Sequence, residues 1–318
     1  MYAIRAIDFL ENQNLVDSVT LDTDSTAEYS SGGTYSVGNK VKATTTGGTN
    51  AAVATYKIYE AIQSGAQAAD PTQDVGTVSP GFGSYWKEIG SVNEWAWANG
   101  VIADTTVKTS GNLYFKFIPG QIVDAICLSG LVGESVNITM TSAADGVVHN
   151  VDYDLVSYVN INSFYECLFE PLEYVKKISV WDLPAYSDAT IEITISVSSG
   201  NSEVGSIFVG RELYIGKSLW GSSFGYDDYT RIEYVPELNR TIIEERNYSE
   251  ESRSMIWLPD YRLESVRESL PTLRAKTTAW INKKDNPGTL TIGILREMTT
   301  TLREPNGTFV DVEVGGAV

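Results

Sequence analysis

The groups able to do chemistry in this 318-residue chain are few: one histidine, two cysteines and three pairs of neighbouring acids. His149 lies in Gly146-Val147-Val148-His149-Asn150, in a strand-like run. A catalytic triad needs a nucleophile and an orienting acid converging on the imidazole. One histidine with no such partners marked in sequence reads as structural. Cys127 and Cys167 each sit in an apolar run and lack CxxC spacing. Each reads as a small buried hydrophobe, with a disulfide between them left open, and neither completes a zinc site with a lone histidine. Tyr226-Asp227-Asp228-Tyr229 offers paired carboxylates for a cation or, as a turn, a solvated surface. Glu244-Glu245 and Glu250-Glu251 offer acids for glycoside hydrolysis, but that chemistry requires two carboxyls facing each other across a cleft. The stretches Ser31-Gly32-Gly33 and Thr46-Gly47-Gly48 lack the spacing of phosphate loops and read as turns. The expectation is a non-enzymatic protein without metal or cofactor.

Charge and composition narrow the partners. The formal net charge is −18, the reverse of what phosphate binding requires, so nucleic acid is not expected as a partner. An acidic surface favours solubility or docking onto a basic one. No stretch approaches the length of apolar residues that spans a bilayer, and Met1-Tyr2-Ala3-Ile4-Arg5 does not begin a signal sequence. Folding in the cytoplasm, without membrane insertion, is expected.

The elements that must position any site are mostly strands. Ile191, Ile193, Ile195 and Val197 alternate with Glu192, Thr194 and Ser196. Val136, Ile138 and Met140 do the same, as do Leu113, Phe115 and Phe117. Period two with one apolar face predicts half-buried antiparallel strands, and Ala144-Asp145-Gly146 predicts a hairpin turn. Asp260 predicts a helix start, with Leu263, Val266 and Leu270 on one face and Pro271 near its end. Strands are predicted around it at Thr277–Ile281 and Thr289–Leu295. The chain is therefore expected to be mainly β and multi-modular. Residues 1–28 form an arm or strand, 29–90 a small β module, 91–208 a jelly-roll sandwich, and 209–318 an α+β assembly module with one helix.

Aromatic residues crowd the small module: Tyr29, Tyr35, Tyr56, Tyr59, Tyr85 and Trp86, followed by Trp95 and Trp97. Such rings can stack on sugars, or they can form the core of a module with little else to bury. Tyr35, Tyr56, Tyr59, Trp86 and Trp95 are the candidate carbohydrate contacts.

Tyr35-Ser36-Val37-Gly38-Asn39-Lys40-Val41, Tyr56-Lys57-Ile58-Tyr59-Glu60, Asp70-Pro71 and Trp86-Lys87-Glu88-Ile89-Gly90 resemble the small chitin-binding-type carbohydrate module. The segment from Gly90 to Trp97 and Gly205-Ser206-Ile207-Phe208-Val209-Gly210-Arg211 are similar to tail-associated virion proteins of tailed bacteriophages. Tyr165–Pro171 and Val180-Trp181-Asp182-Leu183-Pro184 fit the galactose-binding (discoidin-like) jelly roll of that group, and Tyr229-Thr230-Arg231 and Trp280-Ile281 its C-terminal module. The resemblance implies a virion structural protein of the tail, baseplate or appendages. It would form a homo-oligomer among other virion proteins, with host cell-surface polysaccharide as a further partner. The second reading is a receptor- or glycan-binding protein.

Overall fold

Period-two sequences fold as two sheets facing one another, because each strand has one apolar face to hide. The computed structural model describes residues 1–10, 13–22, 24–43, 56–65, 70–157, 163, 165, 169, 173–235, 240–244, 248–304 and 307–316. Cys167, Glu245 and the stretch Thr46-Gly47-Gly48 lie outside these residues.

A five-stranded antiparallel sheet runs in the order Gly146–Asp154, Ser135–Ser142, Thr190–Ser196, Leu113–Phe117, Val16–Thr20. Its inner residues Leu113, Phe115, Phe117, Val136, Ile138, Met140, Ile191, Ile193 and Ile195 are all buried, as the alternation predicts. The turn between Ser142 and Gly146 is also where it was predicted, with Gly146 at φ +75. Ile126, Leu128, Ile207 and Val209, from the facing sheet, close the same core.

That facing sheet is longer than the sandwich. It begins Lys177–Val180, Ala125–Ser129, Ser206–Tyr214, Tyr2–Ala6 and continues through Thr278–Ile281, Leu290–Glu304, Gly307–Gly316 and Tyr248–Pro259. Lys217–Ser218 and Ser223–Asp228 both pair with Tyr248–Pro259, and the sheet curls into a half-barrel. The mainly β, antiparallel architecture with one C-terminal helix is thus present. The N-terminal residues are strands, not an arm: Tyr2–Ala6 pairs with both Ser206–Tyr214 and Thr278–Ile281, and Val16–Thr20 pairs with Leu113–Phe117. Hydrogen bonding runs unbroken through residue 208, because Ser206–Tyr214 is a single strand. Gly210 permits the close pairing: a Cβ there would meet the Arg5 carbonyl oxygen at 2.1 Å.

The helix Asp260–Ser269 tightens into a 3-10 turn at Leu270–Leu273, which contains Pro271. Val266, Leu270 and Leu273 pack on Ile256, Leu258, Val310, Val312 and Val314 of the half-barrel. Asp260 is not its cap. Strand Tyr248–Pro259 runs directly into the helix, leaving Pro259 at the capping position, and the Asp260 carboxylate accepts from Thr308 Oγ1 at 2.9 Å instead.

Cys127 faces the reverse side of the half-barrel, packed with Ile4, Phe208 and Ile281. Complete burial pushes its thiol up to about 12, so it stays an unreactive hydrophobe at physiological pH.

A third, small sheet orders Lys40–Ala43, Lys57–Ala61, Trp86–Ser91. Asp74 ties its far side together by accepting from the backbone N–H groups of Ser84, Tyr85 and Trp86 at 3.0, 2.7 and 2.9 Å.

Candidate functional site

The five rings singled out in sequence separate into two clusters. Trp86 and Tyr59 are buried with Val41, Ala43 and Ala61 as the core of the small sheet. Tyr35 stacks on Tyr29 at 5.7 Å, and both meet Trp86 edge-on, at 5.3 and 5.8 Å. The Tyr35 hydroxyl accepts from Ser30 N and donates to Ser30 O. Tyr56 belongs elsewhere: it stacks on Trp95 at 4.8 Å, and Trp95 stacks on Trp97 at 5.9 Å. Trp97 then touches Phe9, Phe115 and Phe117, so this ladder joins the small module to the sandwich core. Tyr59 and Trp86, expected as sugar contacts, are 3% and 0% exposed and present no ring face to solvent. Packing claims them because a small sheet with few aliphatic residues has little else to bury.

His149 sits on Gly146–Asp154, beside a bulge between Val147 and His149. Its Nε2 is buried without a hydrogen-bond partner, and burial lowers its pKa below the ordinary 6.5. The folded state therefore favours the neutral ring, and this contribution to stability is present above the unfolded pKa and lost as pH falls. As the only histidine in the chain, it can be followed directly. Its imidazole C–H resonances are expected to titrate with a midpoint below 6.5, moving back to about 6.5 in urea. A native midpoint at or above 6.5 contradicts the burial.

Among the described residues, no group of three or more His, Cys, Asp or Glu side chains gathers as a metal would require. Asp227 and Asp228 are consecutive in strand Ser223–Asp228, so they point to opposite faces. Hydrogen bonds from the Thr230 side chain and from Thr230 N, the latter at 2.9 Å, lower the Asp228 pKa.

The most unusual surface lies between residues 219 and 248. Trp220 is 99% exposed in the turn before strand Ser223–Asp228. Register places Tyr226 opposite Glu250, and Phe224 opposite Ser252. On strand Tyr248–Pro259 the same face carries Ser254, Ile256 and Leu258, all fully buried. The inward face of the half-barrel thus continues past the end of its core. There it leaves Tyr226 71% and Tyr248 60% exposed, in edge contact at 5.8 Å.

Beyond it stands a separate two-stranded ribbon, Arg231–Val235 paired with Arg240–Glu244. Ile232 lies directly opposite Ile243, on one face, 70% and 67% exposed, with Tyr234 beside them. Among the described residues these two strands pair with no other sheet.

Below Tyr248 a cleft of about 570 Å³ opens where the sandwich meets the half-barrel, lined by Ile102, Val175, Lys177, Glu250, Pro287 and Ile292. It continues past Tyr248 into a smaller recess of about 250 Å³ that Phe224 and Tyr226 border. Lys177 Nζ donates to both Glu250 oxygens, at 2.6 and 2.9 Å, and to Leu290 O at 2.9 Å. A further cleft of about 680 Å³ lies under Trp220. At its edge Lys284 bonds Asp182 and Glu212 at 2.7 and 2.6 Å and lies over the Tyr2 ring at 4.5 Å. Burial would lower the Lys284 pKa, but the hydrogen bonds to these two carboxylates outweigh it and raise it.

Sequence reasoning passed over Trp220, Tyr226, Tyr248 and Ile232 as binding residues. The signal was there in Phe224-x-Tyr226 and Ile232-x-Tyr234, the same alternation that marks core strands. Among the described residues, no helix is long and apolar enough to cross a membrane. No protein family, curated protein or solved structure matches the chain.

Proposed function

We propose that the chain is a structural subunit of a tailed-phage virion, in the tail, baseplate or an appendage, that assembles with copies of itself through its C-terminal α+β module. The observation that carries the assembly reading is the ribbon of Arg231–Val235 paired with Arg240–Glu244. A two-stranded hairpin alone in water is marginally stable. This one also exposes Ile232, Tyr234 and Ile243 on a single face, an arrangement suited to burial against a neighbour.

The charge distribution supports a second copy as that neighbour. Residues 1–208 carry 9 basic and 24 acidic side chains, net −15, whereas residues 209–318 carry 14 and 17, net −3. Like-charged surfaces repel, so copies meet at the near-neutral end and hold the acidic sandwich and small module apart. Closed symmetry is the usual outcome of such self-association. The phage context is supported by the sequence resemblance described above. Other virion proteins are then its remaining partners, and the virion, assembled from protein made in the host cytoplasm, is its location. Mass spectrometry of particles purified from the phage that encodes the chain tests this. The chain is expected among the virion proteins in multiple copies, and its absence from particles would overturn the reading.

A further inference from the structure

We infer that the cleft beneath Tyr226 and Tyr248 is a binding site for a neutral oligosaccharide. The inference does not depend on self-assembly, because it uses the cleft beside strand Tyr248–Pro259 and not the ribbon.

The argument starts from Glu250. Its carboxylate is held by Lys177, whose three N–H donors are all engaged, two on Glu250 and one on Leu290 O. An ionised carboxylate offers about four acceptor sites, so at least two remain open. The Glu250 side chain keeps 36% of its surface in solvent. It is therefore an oriented acceptor at the junction of two recesses, suited to a hydroxyl donor. Tyr226 lies directly across the strand pair from Glu250, on the same face. Opposed side chains of this kind stand about 5 Å apart at Cβ. Tyr248 lies two residues along the same strand, also on that face, about 7 Å away. An apolar ring face beside a fixed acceptor matches a pyranose, which has an apolar C–H face and equatorial hydroxyls. Phe224 and Ile292 extend the apolar walls, and Ser249 Oγ with Tyr229 Oη, 2.9 Å apart, lie on the strand's other side.

Neutral sugars are favoured over acidic ones. Lys177 is neutralised by Glu250, and register places the Asp228 carboxylate opposite Tyr248 on the same face, so an anionic sugar would meet net negative charge. The concave shape, open on both sides of Tyr248, suits a short chain of rings lying across the junction. Clefts between packed modules are also where ligand sites concentrate.

Saturation-transfer NMR on the full chain, with maltotriose, cellotriose, triacetylchitotriose and globotriose as probes and 3′-sialyllactose as the anionic comparison, tests the site. At least one neutral trisaccharide is expected to receive saturation and 3′-sialyllactose none. Calorimetry on that trisaccharide should show roughly tenfold weaker binding for Tyr226→Ala and for Tyr248→Ala, the loss of one stacked ring. Tyr261→Ala, on the exposed face of the C-terminal helix, should bind as the parent does. Glu250→Gln should also weaken binding. Because that change leaves Lys177 short of its charge partner, the two exposed tyrosines are the decisive variants. Three results overturn the site: no transfer to any neutral probe, transfer unchanged by both tyrosine variants, or equal transfer to 3′-sialyllactose. If Tyr226→Ala dissociates an oligomer and no probe binds, the face is a protein contact and the inference fails while self-assembly stands.

Discussion

Trp97→Ala is expected to lower the free energy of unfolding by about 3–5 kcal/mol, the cost of removing a large buried aromatic. Trp97 is 1% exposed and stands where three parts of the chain meet. Phe9 packs on it from the N-terminal segment at 5.3 Å, Phe115 and Phe117 from the sandwich at 5.5 and 5.3 Å, and Trp95 from the ladder that leads to Tyr56. Its Nε1 donates to Glu94 O at 3.1 Å, and its backbone N–H donates to Thr106 Oγ1 at 2.9 Å. Truncation leaves a cavity that no single neighbour can fill, because the neighbours are fixed in separate segments, Phe9 and Trp95 in turns and Phe115 and Phe117 in strand Leu113–Phe117. Trp97→Phe should lose less, since a ring still fills part of the space. Urea unfolding followed by far-UV circular dichroism measures both. A loss below about 1 kcal/mol for the alanine variant would mean that the junction is not a structural hub.

The double change Ile232→Asp with Ile243→Asp is expected to leave the fold intact and to dissociate the assembly. Both side chains are largely solvent-exposed in the isolated chain, so stability should move by no more than about 0.5 kcal/mol. Buried against a neighbour, each isoleucine contributes about 1.5–3 kcal/mol. Losing both weakens association about a hundredfold to ten-thousandfold, before the repulsion of new charges is counted. Sedimentation velocity across a concentration series reads the shift. An unchanged association constant would show that the ribbon faces solvent in the assembly as well.

The parts of this fold that were legible in sequence share one property: their apolar face is buried by whatever lies opposite, so alternation alone identifies them. Leu113, Phe115 and Phe117, and Ile191, Ile193 and Ile195, are of this kind. The helix was legible from Val266 and Leu270, although its start was misread. A carboxylate before an apolar pattern resembles a cap, and only the partner Thr308, 48 residues away, reveals its other use. Long-range pairing was not legible at all. Tyr2 opposes Tyr214 on one side and Ile281 on the other, and nothing local to residues 1–28 records either partner.

The candidate site was hidden for a related reason. Alternation says that a strand has an apolar face but not whether anything covers it. Phe224 and Tyr226 read like Phe115 and Phe117, and only the end of the core under Ser252 separates them. Conversely, the rings at Tyr59 and Trp86 drew attention as ligand contacts because aromatic residues serve both purposes. Their burial follows from the few large side chains available to a three-stranded sheet.

Self-association through the C-terminal module is the claim on which the functional reading turns, and native mass spectrometry of the intact chain tests it most directly. The chain has a mass of 34.8 kDa. The predicted result is a single closed species at an integer multiple of that mass, replaced by the monomer when Ile232 and Ile243 are both changed to aspartate. A monomer of 34.8 kDa for the unaltered chain, persisting at micromolar concentrations where a stable subunit interface holds, would contradict it.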